Sequence, residues 1–412
     1  MDNLSHSVVS LLAGELLHRS LPAEATPEKQ ATRQKLFLFG ACAAGNFPDL
    51  DLLLYSRLQK PLGYLLHHRG HSHTFLYEIP QAIFLILLVW LVWPKARELM
   101  KISRRALKGF IGALAAGFVL HISMDFLNSY GVHPFYPLDS HWFYGDLVFI
   151  VEPLFWIGFG IPVAFLTKRL WVRYPFALLM LGVPMWAAFN GFIPWVSMVV
   201  LGAVAVVMAK MQSREFETGR RTLTTAFVLA LAFITSQVFA SQAARVMVRD
   251  RIESAEANND FVDAAMTAAP FNPLCWSYVS VEQNKTEGVY RLRSGLVSLA
   301  PSIVSTDQCP TMLTDQTQGL VVNRSLKELS VKTGQLALLK SMTLTNCHVQ
   351  AWLRFARMPL VTEAEAIDAR FTRGPRGNFT ALEINDFKNV ACDENQIPAW
   401  IPPRANDLLK FD

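Results

Sequence analysis

Residues 67–73, His67-His68-Arg69-Gly70-His71-Ser72-His73, place four imidazoles and one guanidinium in seven positions. Imidazole is the commonest protein metal ligand and is mostly neutral, ready to coordinate, at pH 7. Nine of the ten histidines lie within the first 141 residues, so metal chemistry belongs to the N-terminal third. His121 and Asp125 are four apart in an apolar run. On a helix they share one face and can grip one ion, and a buried carboxylate there is costly without a partner. Asn46-Phe47-Pro48-Asp49-Leu50-Asp51 adds two carboxylates, enough to bridge two ions or to supply one ligand and one base. Arg69 cannot bind a cation, but its fork suits phosphate or carboxylate. A basic fork beside metal ligands is what phosphoester chemistry needs to offset charge on phosphoryl oxygens. Glu152, followed by Pro153 and preceded by Asp146, is a carboxylate in apolar surroundings that could complete the site or orient a ligand histidine. Each piece has a plainer reading: a polar loop, a helix-capping aspartate, a lipid-headgroup anchor. His18, His133, His141 and His348 show no pairing logic and are expected to be solvent or core histidines.

The elements that must position these groups are set by an uneven composition. The chain of 412 residues is 52% hydrophobic and only 17% charged, too apolar for an ordinary soluble protein. Apolar runs concentrate between about residues 76 and 241, and the last 170 residues have a water-soluble composition. A spanning helix needs about 20 mainly apolar residues. The candidates are 76–93, 107–127, 147–166, 176–189, 193–209 and 223–241, the fourth and fifth joined as a hairpin at Asn190-Gly191. Segments 5–17 and 35–47 are shorter and rich in Gly and Ala, which suits two closely packed helices entering the membrane. No cleavable signal is expected, because the first 20 residues lack a basic start and carry His6 and Glu15.

Loop charge predicts the orientation, since Lys and Arg collect on the cytoplasmic side. Lys95 to Lys108, Lys168 to Arg173 and Lys210 to Arg221 mark three basic loops, whereas 128–146 contains no Lys or Arg. The formal charge of +5 is thus a report on topology, and no nucleic-acid partner is expected. This alternation puts His6, the segment ending at Asp49, His67 to His73, and His121 with Asp125 at one external face. The C-terminal domain falls on the same side, the periplasm of a Gram-negative cell. That domain should open with a charged helix at 244–258. Strands follow at 276–282 and 289–299, then a helix at 326–342 and a hairpin of 366–372 with 379–384, forming a small α+β unit on an antiparallel sheet. Cys275, Cys309, Cys347 and Cys392 suggest two disulfides there, with three pairings open.

A combination of motifs resembles a known family. Pro48-Asp49-Leu50-Asp51, His68-Arg69-Gly70, Ser72-His73-Thr74, His121-Ile122-Ser123-Met124-Asp125, Asn128-Ser129-Tyr130-Gly131, and Asp146 ahead of Glu152-Pro153 are similar to the YdjM-like inner-membrane proteins, described as metal-dependent hydrolases. In that family an early histidine corresponds to His6, an aromatic residue often stands at the place of His71, and aspartate is expected at Glu152. The C-terminal half resembles longer members through Asn272-Pro273-Leu274-Cys275-Trp276, residues 353–359, and Asp368-Ala369-Arg370-Phe371. The resemblance implies a membrane-bound metal-dependent hydrolase and names no substrate.

The expectation from the sequence is therefore a polytopic α-helical membrane domain, residues 1–242, followed by a small soluble α+β domain, 243–412. One or two divalent ions, expected to be zinc, would be held by His68, His73, His121, Asp125 and Asp49, with Asp51 and His6 next. Arg69 would hold an anionic group, and Asp51 or Glu152 would act as base. A site at the lipid–water boundary favours a lipid or lipid-linked ester. The competing classes are a divalent metal-ion transporter, which predicts ligands near the bilayer midplane on a broken helix, and a non-catalytic scaffold with structural metal.

Overall fold

The computed structural model describes residues 1–53, 60–215, 219–255, 258–310, 319–371 and 377–410. The chain divides into two compact units: Met1–Leu50, Ser72–Leu127 and Phe149–Thr235 form the first, and Asp51–His71, Asn128–Val148 and Ser236–Asp412 the second. The N-terminal half thus contributes two segments to the second unit.

The first unit is helical. α1 (Asn3–Ser20) starts at the Asp2 N-cap, whose carboxylate accepts from the Leu4 and Ser5 amides. α2 (Pro27–Ala44) starts at Thr26 with Pro27 in its first turn, an entry that needs no intrahelical amide there. α3 (Leu62–His67) belongs to the second unit and leads into the histidine cluster. α4 (Phe75–Val92), α5 (Pro94–Ile102) and α6 (Arg104–Phe126) follow. α2, α4 and α6 close on a core of Phe37, Ala41, Leu85, Val89, Phe110 and Phe118.

Among the described residues, five helices are long and apolar enough to cross a membrane: α4, α6, α8 (Leu170–Phe189), α9 (Trp195–Glu215) and α10, which begins at Arg221. The expected span at 147–166 is a correction. Only α7 (Pro153–Ala164) is helical there, because Glu152 caps it and Pro153 fixes its first turn. Its 12 residues rise about 18 Å, short of a hydrocarbon core of about 30 Å. The helix is buried almost all round, so its apolarity serves packing inside the unit. A second correction concerns the boundary helix. The span expected at 223–241 and the charged helix expected at 244–258 form one helix, α10 (Arg221–Ala255), since no Gly or Pro interrupts it.

The second unit carries a five-stranded antiparallel sheet in the order β1 (Asp260–Ala269), β2 (Asn272–Asn284), β3 (Val289–Ser298), β5 (Leu326–Gln335), β4 (Leu320–Asn323). The β2–β3 hairpin expected from the sequence turns at Gly288, where φ is +68°. The helix expected at 326–342 is instead β5 followed by α11 (Leu336–Thr345) and α12 (Cys347–Leu353). The reason is that β5 pairs with β3 along its length and sits beside β4. A smaller sheet joins β6 (Pro359–Val361), β7 (Glu365–Asp368) and β8 (Leu382–Glu383); the linker residues 372–376 of that expected hairpin lie outside the described residues. Trp352, Trp400, Phe355 and Tyr290 fill the main core of this unit. The disulfides are Cys275–Cys309 and Cys347–Cys392, and Cys42 in α2 is free.

Candidate metal centre

Four residues of the first unit converge. Asp49 follows the end of α2, His73 precedes α4, and His121 and Asp125 occupy the last turns of α6. One ligand atom from each lies within 4.8 Å of the others, and all four residues are buried. His73 Nε2 is 3.3 Å from Asp49 Oδ1 and 3.4 Å from Asp125 Oδ2. His121 Nε2 is 3.5 Å from Asp125 Oδ2 and 3.8 Å from Asp49 Oδ1. Ligand atoms about 2.0–2.1 Å from a shared tetrahedral ion stand about 3.3–3.4 Å apart, so the spacing fits a metal with only small shifts.

Hydrogen bonding makes the same point chemically. His121 Nδ1 lies 2.8 Å from the carbonyl oxygen of Gly45, which only accepts, so Nδ1 carries the proton. In the neutral ring Nε2 is then a bare lone pair, and it is buried without a hydrogen-bond partner, facing two carboxylates. A lone pair aimed at anions is unfavourable unless a cation stands between them, and a backbone carbonyl behind the ring is the usual support of a ligand histidine. The donor set fits a divalent ion. Asn3 Nδ2 donates to Asp49 Oδ2 at 2.9 Å, and Ser72 Oγ lies 3.0 Å from His73 Nδ1. Burial pushes the Asp49 carboxyl up, but the hydrogen bond with His73 and the neighbouring His121 outweigh it and hold it below the usual carboxylate range.

His6, in the first turn of α1, stacks on His121 with ring centroids 4.0 Å apart and puts Nε2 3.3 Å from Asp125 Oδ1. The Met1 amino group contacts the same oxygen. Asn3, Gly45 and Ser72 support the cluster without standing out in the sequence. The only signal for Asn3 was its place one helical turn before His6 and Ser7, and a carbonyl such as that of Gly45 leaves no trace in residue type.

The remaining candidates are held differently. Glu152 is not among the four clustered ligands; it is the N-cap of α7, and its Oε1 accepts from the Leu154 amide at 3.2 Å. Asp51, His68 and Arg69 belong to the second unit. There Asp51 Oδ1 lies 3.2 Å from His68 Nδ1, and Tyr64 stacks on the His68 ring. Arg69, at φ +58°, donates from Nη1 to Asn128 Oδ1 at 3.0 Å and lies over the Tyr130 ring. His67 faces the Gln396 carbonyl, and His71 packs against Trp400 and Tyr136. Asp146 is tied to Arg357 and Arg245, so it is a structural anion of the second unit.

The sequence model of the family described as YdjM inner membrane protein matches residues 1–216, just over half of the 412. The chain belongs to the YdjM family. No curated protein and no solved structure matches it. The YdjM match contains every residue of the cluster, Asp49, His73, His121, Asp125 and His6. Together with five apolar helices it makes the chain a multi-pass inner-membrane protein.

Proposed function

We propose that this YdjM protein is a membrane-bound metal-dependent hydrolase that acts on a lipid or lipid-linked (phospho)ester at the periplasmic membrane surface. The observation that carries the reading is the buried Asp49, His73, His121, Asp125 set with a bare His121 Nε2 facing carboxylates. These four residues would hold the ion, zinc by its liking for mixed imidazole and carboxylate donors, with His6 beside Asp125. When bound, a divalent ion supplies a hydroxide nucleophile at neutral pH and polarises the ester. Gly45 and Asn3 fix the orientation of His121 and Asp49, which limits the reorganisation needed during turnover. Arg69 would bind the anionic group of the substrate. Of the two candidate bases, Asp51 is favoured, because its pairing with His68 gives a carboxylate and an imidazole able to hold and pass a proton. Glu152 Oε1 already accepts a helix amide. The periplasmic placement rests on the basic loops and requires that the chain still cross between residues 146 and 168, with the short α7 shielded from lipid by the helices that bury it. Transport is the weaker reading, since the ligands sit at helix ends and beside them rather than on a broken helix at mid-membrane.

The test compares the purified chain with a His121→Ala/Asp125→Ala variant. Wild type should carry stoichiometric divalent metal and the variant none. Turnover of a phospholipid and isoprenoid-phosphate panel should fall by at least about 10³-fold in the variant. Near-zero metal in both proteins would sink the proposal, as would metal-dependent uptake into proteoliposomes without turnover.

A further inference from the structure

A cavity of about 1010 Å³ opens in the first unit between α1, α2, α7 and α8. Lys35 of α2 and Lys168 and Arg169 before α8 stand on its wall, and all three are exposed. Among the described residues, no Asp or Glu lines it. The nearby Glu15 carboxylate is already matched by Arg19 at 2.7 Å and by Gln34 at 2.9 Å. The rest of the wall is largely apolar, with Leu38, Val172 and Phe176. Three further observations agree on the occupant. α8 begins at the cavity with Arg169 as N-cap, offers no side-chain acceptor there and has no acidic residue in its first turn, so the positive end of its dipole is not neutralised. Trp171 and Tyr174, 72% and 61% exposed, mark this level as the membrane–water interface. The apolar wall continues along α8, a candidate span.

We propose that this cavity binds one anionic phospholipid, with its phosphate headgroup held by Lys35, Lys168, Arg169 and the start of α8, and an acyl chain laid along Leu38, Val172 and Phe176. Basic hollows between spanning helices suit such headgroups, and each cation near the surface adds to the attraction. The site is separate from the metal-ligand cluster and does not depend on the hydrolase reading.

The experiment is native mass spectrometry of the full chain released from nanodiscs of phosphatidylcholine doped with phosphatidylglycerol. Wild type should retain phosphatidylglycerol over phosphatidylcholine by at least about tenfold, and a Lys35→Gln/Lys168→Gln/Arg169→Gln variant should retain the two alike. A charge-matched Arg104→Gln/Arg105→Gln/Lys108→Gln control, on another basic end, should keep the preference. The cavity variant should also keep the metal content of wild type, which shows that it folds and separates this site from the metal centre. No preference in wild type would overturn the proposal, as would a preference that survives in the cavity variant or is lost equally in the control. Equal protection by soluble glycerol phosphate would also overturn it, showing a free-phosphate site rather than a lipid site.

Discussion

The four histidines of 67–73 are alike in residue type and take different partners in the structure. His73 groups with Asp49, His121 and Asp125; His68 pairs with Asp51, Arg69 with Asn128, and His71 packs on aromatic rings. What selects a ligand is where its lone pair points, and that is set by the group bonded to the opposite ring nitrogen or to the far carboxylate oxygen. Asn3 does this for Asp49. An Asn3→Ala substitution should therefore leave the fold intact and weaken metal affinity by about 10–100-fold, read by competition with a chelator. Unchanged affinity would show that Asp49 is held by other contacts.

At the level of elements, the cluster depends on how closely α6 approaches α2. Gly117 lies one turn before His121, and a Cβ there would meet the Ala41 carbonyl oxygen at 2.4 Å and the Ala44 Cβ at 2.8 Å. Backbone cannot yield as a side-chain tip can, so Gly117→Ala should force the helices apart. The expected cost is about 1–3 kcal/mol, with loss of bound metal. Gly112 gives the contrast on the same helix, because its Cβ would meet only Leu17 at an ordinary 3.5 Å. Gly112→Ala should be neutral or stabilising through helix propensity, by up to about 1 kcal/mol. Thermal midpoints and metal content of the two variants decide this; equal losses would refute close packing at Gly117 as the cause.

For the whole molecule, a buried histidine of the second unit contributes to the dependence on pH. Burial pushes the His133 imidazole down to about 3 from its ordinary 6.5. The ring lies between Trp400 and Trp142, with Nδ1 3.0 Å from the His141 carbonyl and Nε2 buried without a hydrogen-bond partner. Because the folded value is depressed, the stability tied to neutral His133 is present in full above about 6.5 and is lost progressively down to about 3. Moving from pH 7.5 to 5.0 should cost about 2 kcal/mol. His133→Asn, which can still donate to His141, should remove most of that loss in thermal melts. An identical pH response in both proteins would refute the assignment. Asp263, held low by Arg357 against its burial, acts in the same direction but only below the ordinary carboxylate range.

Periodicity and composition determined much of this protein, because burial in lipid or in a sheet demands apolar runs of fixed length and alternation. The long spans α4 and α6, the α8–α9 hairpin and the β2–β3 hairpin were legible in that way, while residue type and spacing named Asp49, His73, His121 and Asp125 within a larger set that also held His68, Asp51 and His6. Loop charge added an expected common face for the ligands, and the structure brings these four together. Other features depend on partners distant in sequence, which local pattern does not encode. α7 reads as a span but is buried by neighbouring helices, and β5 reads as a helix until β3 and β4 pair with it. The disulfide pairing, the Gly45 carbonyl behind His121 and the division of the 67–73 cluster needed the folded backbone as well. Residue types fix which chemistry is available, and only three-dimensional proximity decides which lone pairs meet.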